Sequence, residues 1–279
     1  NEARRCVRLG ETLYVSGAEI LQYDGVGLYE VGFHVYPWYF GIVEVAAGNL
    51  ADGTYTYKLT FRHENAKGEL DRSTTATHGN VTIAAGPNGG SIVTWPALYI
   101  THKTTAKPVS IEVWRTAVNP GDGAPFYLAT SKDPASLTNP NRYIPNDTTA
   151  SSLPTFNDEF ADSTATTKET NDENGDVLEN LAPPGATVIA ATDTRVFLGN
   201  VAGDPDRVWY SKQKQAGKVV SFHDALTFDV PKEGGAIKAI AFQNGIAVVF
   251  REFATYMFPG DGFDNTGRGQ NYGPPQVVS

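Results

Sequence analysis

Residues 54–62 alternate without a break, with Tyr55, Tyr57, Leu59 and Phe61 set against Thr54, Thr56, Lys58, Thr60 and Arg62. Neighbouring side chains of a strand point to opposite faces of its sheet, so this period of two predicts an antiparallel strand with one buried face. Shorter alternating or apolar runs predict strands at 5–9, 12–16 and 19–23, then at 80–84, 91–95, 109–116 and 125–130. A third group lies at 186–191, 195–200, 207–212, 222–230, 237–242, 247–250 and 256–258. The breaks are rich in Gly, Asn, Asp and Pro, the residues that tight turns require. Gln243-Asn244-Gly245, between two apolar runs, is a hairpin signal, because a two-residue turn needs positive φ at both central positions. No stretch of similar length carries a helical apolar stripe, and the expected class is all-β.

The spacing of these runs divides the chain. Residues 1–45 read as a first propeller-like β unit whose few short strands are too little to fold alone and must dock on something else. Residues 46–160 carry about seven short strands over roughly 100 residues, the count of an immunoglobulin- or fibronectin-like sandwich. Residues 161–182, with Ser163-Thr164-Ala165-Thr166-Thr167 and Lys168 through Asp176, are too polar to offset the entropy of ordering and read as a polar linker or surface excursion. It ends at Pro183-Pro184, which fix an extended entry into the last segment. Residues 183–279 return to blade-like spacing and read as propeller-like blades, an incomplete set, with a second sandwich as the structural rival.

Composition narrows the function classes. The longest apolar runs, such as 246–250, fall far short of the roughly 20 residues that cross a bilayer. The amino-terminal Asn1-Glu2-Ala3-Arg4-Arg5 is followed by no apolar stretch of the kind a signal peptide needs. It also lacks an initiator Met, and with Val277-Val278-Ser279 ending in strand-like sequence the expectation is a piece of a longer polypeptide. A single cysteine, Cys6, excludes an internal disulfide framework and any multi-cysteine metal site. The formal net charge of −9 argues against a general phosphate-binding surface, unless the 22 Lys and Arg gather on one face.

The order of segments resembles a known architecture. Leu13-Tyr14-Val15-Ser16-Gly17 and Tyr23-Asp24-Gly25 come first, then residues 55–61 with Lys67-Gly68-Glu69, then Val113-Trp114-Arg115-Thr116 with Phe126-Tyr127-Leu128. Ala182-Pro183-Pro184, Arg195-Val196-Phe197, residues 208–212 and Val249-Phe250 before Tyr256 complete the series. Taken together they resemble tailed-bacteriophage virion proteins of the short-tail nozzle or hub type, in which a fibronectin-like module interrupts a β-propeller. The resemblance implies a non-enzymatic virion component in a homo-oligomeric ring of the tail. Its partners would be other tail or adaptor proteins, and DNA would pass through without specific binding. An acidic channel wall would suit such passage, since it repels phosphate.

No chemistry-bearing motif competes strongly. The five histidines, His34, His63, His78, His102 and His223, have no close metal-ligand spacing and read as scattered surface or loop residues. Asp172, Asn174 and Asp176 begin a calcium-loop spacing that fails at Val177 and Pro183. Asp261-Gly262-Phe263-Asp264-Asn265 offers oxygen ligands but reads as a mobile inter-strand loop, and Gly260-Asp261-Gly262-Phe263 lacks the Lys and helix of a phosphate loop. Ser16 and Ser211 sit in no nucleophile elbow. No catalytic, cofactor-binding or metal-binding residue is therefore assigned, and no cofactor. The aromatic run Tyr36, Trp38, Tyr39 and Phe40 has two readings, packing at a domain junction or a subunit interface. An alternative function is a glycan-binding or glycan-cleaving surface on a propeller face, with Trp209 and Tyr210 beside Asp204 and Asp206 as the nearest grouping.

Overall fold

In the computed structural model, residues 4–75, 78–84, 86–104, 108–171 and 177–278 are described. The chain is all-β; among the described residues the strands are joined by one single-turn α-helix and one short 3-10 turn, Gly86–Asn88. It separates into two compact units. The first comprises Asn1–His34, Glu64–Asp71 and Leu178–Ser279, and the second Val35–His63 and Arg72–Val177.

Strands β1 (Cys6–Leu9), β2 (Thr12–Val15), β3 (Leu21–Tyr23) and β4 (Leu28–Glu30) pair in sequence order as an antiparallel meander, blade I. The second unit follows with β5 (Gly41–Leu50), β6 (Gly53–Glu64), β7 (Leu70–Arg72, at the boundary), β8 (His78–Ile83), β9 (Gly89–Thr94), β10 (Ser110–Arg115), β11 (Tyr127–Leu128) and β12 (Thr155–Asp158). A single-turn α-helix, α1 (Asp162–Ala165), follows β12. Strands β13 (Ala186–Ala191), β14 (Val196–Val201), β15 (Arg207–Tyr210) and β16 (Thr227–Asp229) form blade II, again in sequence order. Blade III repeats the plan with β17 (Ile237–Gln243), β18 (Ile246–Arg251), β19 (Thr255–Pro259) and β20 (Gln276–Val278).

Two apolar cores hold the blades together. One face of blade II, including Val188, Ala190, Phe197, Tyr210 and Phe228, packs with Ile237, Ile240, Val249, Tyr256 and Phe258 of blade III. The opposite face, with Ile189, Val196 and Leu198, packs with Leu9, Tyr14, Ile20 and Val31 of blade I. Blade I is thus docked as its short strands require, and blade II is covered on both sides. Hairpins set the register. Gln243 pairs with Ile246 across Asn244 and Gly245, whose φ values of 50° and 75° are those of the turn the sequence predicts.

The segment Glu64–Asp71 belongs to the first unit. Leu70 N–H donates to Gly217 O and Val219 N–H to Leu70 O, while Lys214 Nζ lies 2.6 Å from Glu69 Oε1. Asp24 is buried in the β3–β4 turn, where Oδ1 accepts from the Val26 and Gly27 amides and Oδ2 from the Ala66 amide, all at 2.8 Å. Burial pushes its pKa up, but these donors outweigh it and hold the carboxyl below its ordinary value.

In the second unit, β6 lies between β8 and β10, and β9 between β5 and β12. The facing surfaces of these sheets bury Tyr55, Tyr57, Leu59, Phe61, Ile111 and Val113 of one and Val93 and Phe156 of the other. Two expectations change here. The strand at 54–62 is buried on both faces, not one. Lys58, Thr60 and Arg62 are also buried, because Trp114, Phe126 and Leu128 form a second small core on that side and Lys58 sits over the Phe126 ring at 4.2 Å. The unit boundary also falls at 34/35, not 45/46, since residues 41–50 form β5 and pair along β9.

The expected linker at 161–182 divides in the same way. Asp162 takes Arg115 Nη1 at 2.6 Å and the Val118 amide at 2.8 Å, and the Leu128 and Asn171 amides donate to Glu169 O and Phe126 O. Residues 162–171 are therefore part of the second unit, bound through backbone and charge where apolar burial is scarce. Leu178–Ala182 belong to the first unit, with Leu181 bonded to Phe222.

Candidate interaction surface

Residues 35–40 run between β4 and β5 without regular structure. The Trp38 amide donates to Tyr36 O at 2.8 Å, a three-residue turn that splits the aromatics between two environments. Trp38 and Tyr39 stay 65% and 61% exposed, their tilted rings 6.0 Å apart, and Tyr36 is also exposed. Phe40 is buried instead. A Cβ added at Gly79 would lie 2.8 Å from its ring, so the missing side chain at position 79 is what admits Phe40. The four residues are thus not one surface: Tyr36, Trp38 and Tyr39 are exposed, and Phe40 is core.

The other candidates disperse. Trp209 and Tyr210 are consecutive on β15 and face opposite ways, Trp209 towards the blade I core and Tyr210 into the blade III core. Asp206 is 2.8 Å from Arg251 Nη2 and Asp204 is 3.3 Å from Arg207 Nη1. Alternation along the strand prevents a sugar-stacking platform with both rings. Ser16 Oγ accepts from the Arg5 amide, and Ser211 Oγ accepts from the Val196 amide and donates to Lys212 O. Both hydroxyls serve backbone groups.

His63 is a buried strand residue, not a surface or loop one, and His78 stands on β8 with its ring 5.6 Å from that of Phe126. His34 pairs with Glu19, and burial lowers the pKa of His223 more than Asp224 raises it. Among the described residues no three of His, Cys, Asp or Glu are grouped to hold a metal ion. Asp172, Asn174 and Asp176 lie outside the described residues.

The loop expected to be mobile at 261–265 is instead tied down. Asp264 Oδ1 accepts from the Thr266 hydroxyl and amide and from the Arg268 amide, interactions that outweigh desolvation and lower its pKa. Asn265 exchanges hydrogen bonds with the backbone of Gln213, and buried Arg195 donates to Phe263 O. Two features carried no sequence signal. One is an ion-pair network inside the sandwich, in which Glu112 meets Arg62 and Arg72, and Glu169 meets Arg72 and Lys132. The other is the apolar character of the outer faces of blades I and III, visible only once the strand registers are known.

Among the described residues, no helix is long and apolar enough to cross a membrane. What fold and surface define is an all-β protein in which a β-sandwich interrupts a stack of meander blades. No protein-family model matches the chain, and no curated protein is recognisably similar to it.

Proposed function

We propose that this chain is a structural subunit of a tailed-bacteriophage virion, acting non-enzymatically in the nozzle or hub ring through which DNA leaves the tail. The observation that carries the reading is the insertion of the second unit, Val35–His63 with Arg72–Val177, into a stack of four-stranded meander sheets. That is the module order on which the resemblance rests. The buried charges support a mechanical role: Arg115, Asp158, Glu112 and Arg72 are spent on fixing strands to one another. Stiff sheets suit a conduit wall, and a net charge of −9 disfavours tight capture of passing phosphate.

The test is location. Antibody raised against the chain should label the tail of purified particles in electron micrographs, and label confined to the capsid or absent from particles refutes the reading. Duplex binding by the isolated chain should be weak at physiological salt. Tight binding that falls steeply with salt would place a phosphate-tracking patch on it instead. The glycan reading is left without its grouping, because Trp209 and Tyr210 face apart.

A further inference from the structure

The last strand of blade II, β16, pairs with β15 on one side and with no strand on the other. Which groups line that second edge follows from the register. Tyr210 N–H donates to Leu226 O at 2.9 Å and Val230 N–H to Asp206 O at 2.8 Å, and Phe228 stands opposite Val208 between them. Residues 226, 228 and 230 therefore turn their main-chain groups to β15. Thr227 and Asp229, one step out of phase, turn theirs away.

They turn them towards a cleft. It has a volume of about 320 Å³, with Thr227, Phe228 and Asp229 on one side and residues 271–275, from the β19–β20 connection, on the other. That far wall is fixed. The Tyr272 ring lies 4.6 Å from that of Phe228 and 5.4 Å from that of Tyr210, and Asn271 Oδ1 accepts from the Tyr210 hydroxyl and the Tyr272 amide. With its oxygen so held, Asn271 presents Nδ2 to Thr227 O at 2.8 Å, the bond that an adjacent strand's N–H would make. Further along, the wall is Pro274 and Pro275, which have no N–H to continue the pairing. No other main-chain group among the described residues meets the Thr227 N–H or the Asp229 N–H and C=O.

The rim is acidic. Asp229 is exposed, and the Arg207 guanidinium beside it is shared between Asp229 Oδ1 at 2.8 Å and Asp204 Oδ2 at 3.3 Å. Asp224 stands exposed just before the strand, beside the His223 imidazole, whose burial disfavours its charged form.

We propose that this cleft receives an extended, basic peptide segment of another protein, which adds to β16 as a fifth strand of blade II and sets a Lys or Arg against Asp229. Three observations select that occupant. Main-chain donors and an acceptor in a row at strand spacing are matched by an extended backbone, as in strand addition to other sheet edges. Two carboxylates around one guanidinium favour a cation. A cleft of this size holds a few residues of a single strand, whereas a whole sheet would need an open face. A second copy of β16 is disfavoured, because pairing along this edge would bring Asp224 and Asp229 of each copy near those of the other. The inference goes beyond the virion reading and does not depend on it.

The experiment titrates the 279-residue chain with the synthetic peptide acetyl-Thr-Lys-Val-Lys-Thr-amide, followed by amide chemical shifts and amide hydrogen exchange. The Thr227 and Asp229 amides should shift saturably and exchange more slowly. The same peptide N-methylated at every residue should bind about tenfold more weakly, the loss of two hydrogen bonds of ordinary net worth. A peptide with Glu in place of Lys should not bind. Asp229→Asn should weaken the Lys peptide about threefold and reduce its sensitivity to salt. Thr227→Pro should also weaken binding, since it removes an N–H turned away from β15 and leaves the β15–β16 ladder intact. Should that variant lower the circular-dichroism melt, the N-methylated peptide carries this arm alone.

Absence of a saturable shift at Thr227 and Asp229 with millimolar peptide overturns the proposal. Equal binding of the N-methylated peptide would mean charge without strand addition, and equal binding of the Glu peptide would mean no selection for a cation; either result also overturns it. A peptide that binds in this way to a chain absent from particle tails would refute the virion reading and uphold the cleft.

Discussion

Arg115 Nε and Asp158 Oδ2 lie 2.7 Å apart inside the sandwich, both side chains without exposure to solvent. The Nε–H is not directed at the carboxylate, so charge holds this contact; the directed bonds to Asp158 Oδ2 and Oδ1 come from the Tyr57 hydroxyl and the Phe160 amide. Burial favours loss of the guanidinium proton, yet Asp158, Tyr57 and Asp162 outweigh it and raise the Arg115 pKa. Because Asp158 stands on β12 and Arg115 on β10, the pair ties the two sheets together. Removing Asp158 leaves buried Arg115 with Asp162 as its carboxylate partner and deprives the Tyr57 hydroxyl and the Phe160 amide of their acceptor. Asp158→Ala should cost about 3 kcal/mol in urea denaturation followed by tryptophan emission, and Arg115→Met/Asp158→Leu should cost less than the single change. A double variant as unstable as the sum of the singles would show that the pair is not coupled.

Acid should weaken the first unit through Asp24 and Glu69. Desolvation raises both pKa values, but the Val26, Gly27 and Ala66 amides at Asp24, and Lys214, Asn65 and Thr12 at Glu69, lower them further. Folded values below unfolded ones mean that this stability is complete above the ordinary carboxylate range and drains away as pH falls through the folded values. Asp24→Asn loses an acceptor for the Ala66 amide and should cost about 1–2 kcal/mol at pH 7. The gap from wild type should close in strongly acidic buffer; a gap independent of pH would assign the effect to packing.

Gly245 carries φ of 75° in the β17–β18 turn, where an L side chain is strained whatever the space around it. Gly245→Ala should destabilise by about 1 kcal/mol, visible as a lowered Tm. Gly121→Ala, in open space without positive φ, is the control and should leave Tm unchanged.

The aromatic run separates by stability. Phe40→Ala empties a packed site against Gly79 and should cost about 3 kcal/mol. Trp38→Ala and Tyr39→Ala should change stability by no more than about 0.5 kcal/mol and act instead on partner binding. A large loss of stability in either would make them packing residues.

The strands at 54–62, 186–191 and 237–242 were legible because alternation and turn chemistry are local, set within a few residues by the pleat and by the φ each turn demands. The Asn244-Gly245 hairpin was legible for the same reason. Residues 162–171 misled as a linker, since low hydrophobicity predicts poor burial and cannot reveal that Arg115 waits for Asp162 or that backbone bonds from Leu128 and Asn171 will close. His63 and the second buried face of β6 were hidden likewise, because a polar residue's burial depends on a partner supplied by distant chain.

Of the aromatic run, sequence marked Tyr36, Trp38, Tyr39 and Phe40 together, and only folding separated Phe40 from the rest. The apolar outer faces of blades I and III are not legible in the letters, because which residues share a face is fixed only by the register of the strands. Element type follows from forces acting between adjacent residues. Burial, ion pairing and the faces left open follow from which sheets meet, and that is decided by contacts between residues far apart in the chain.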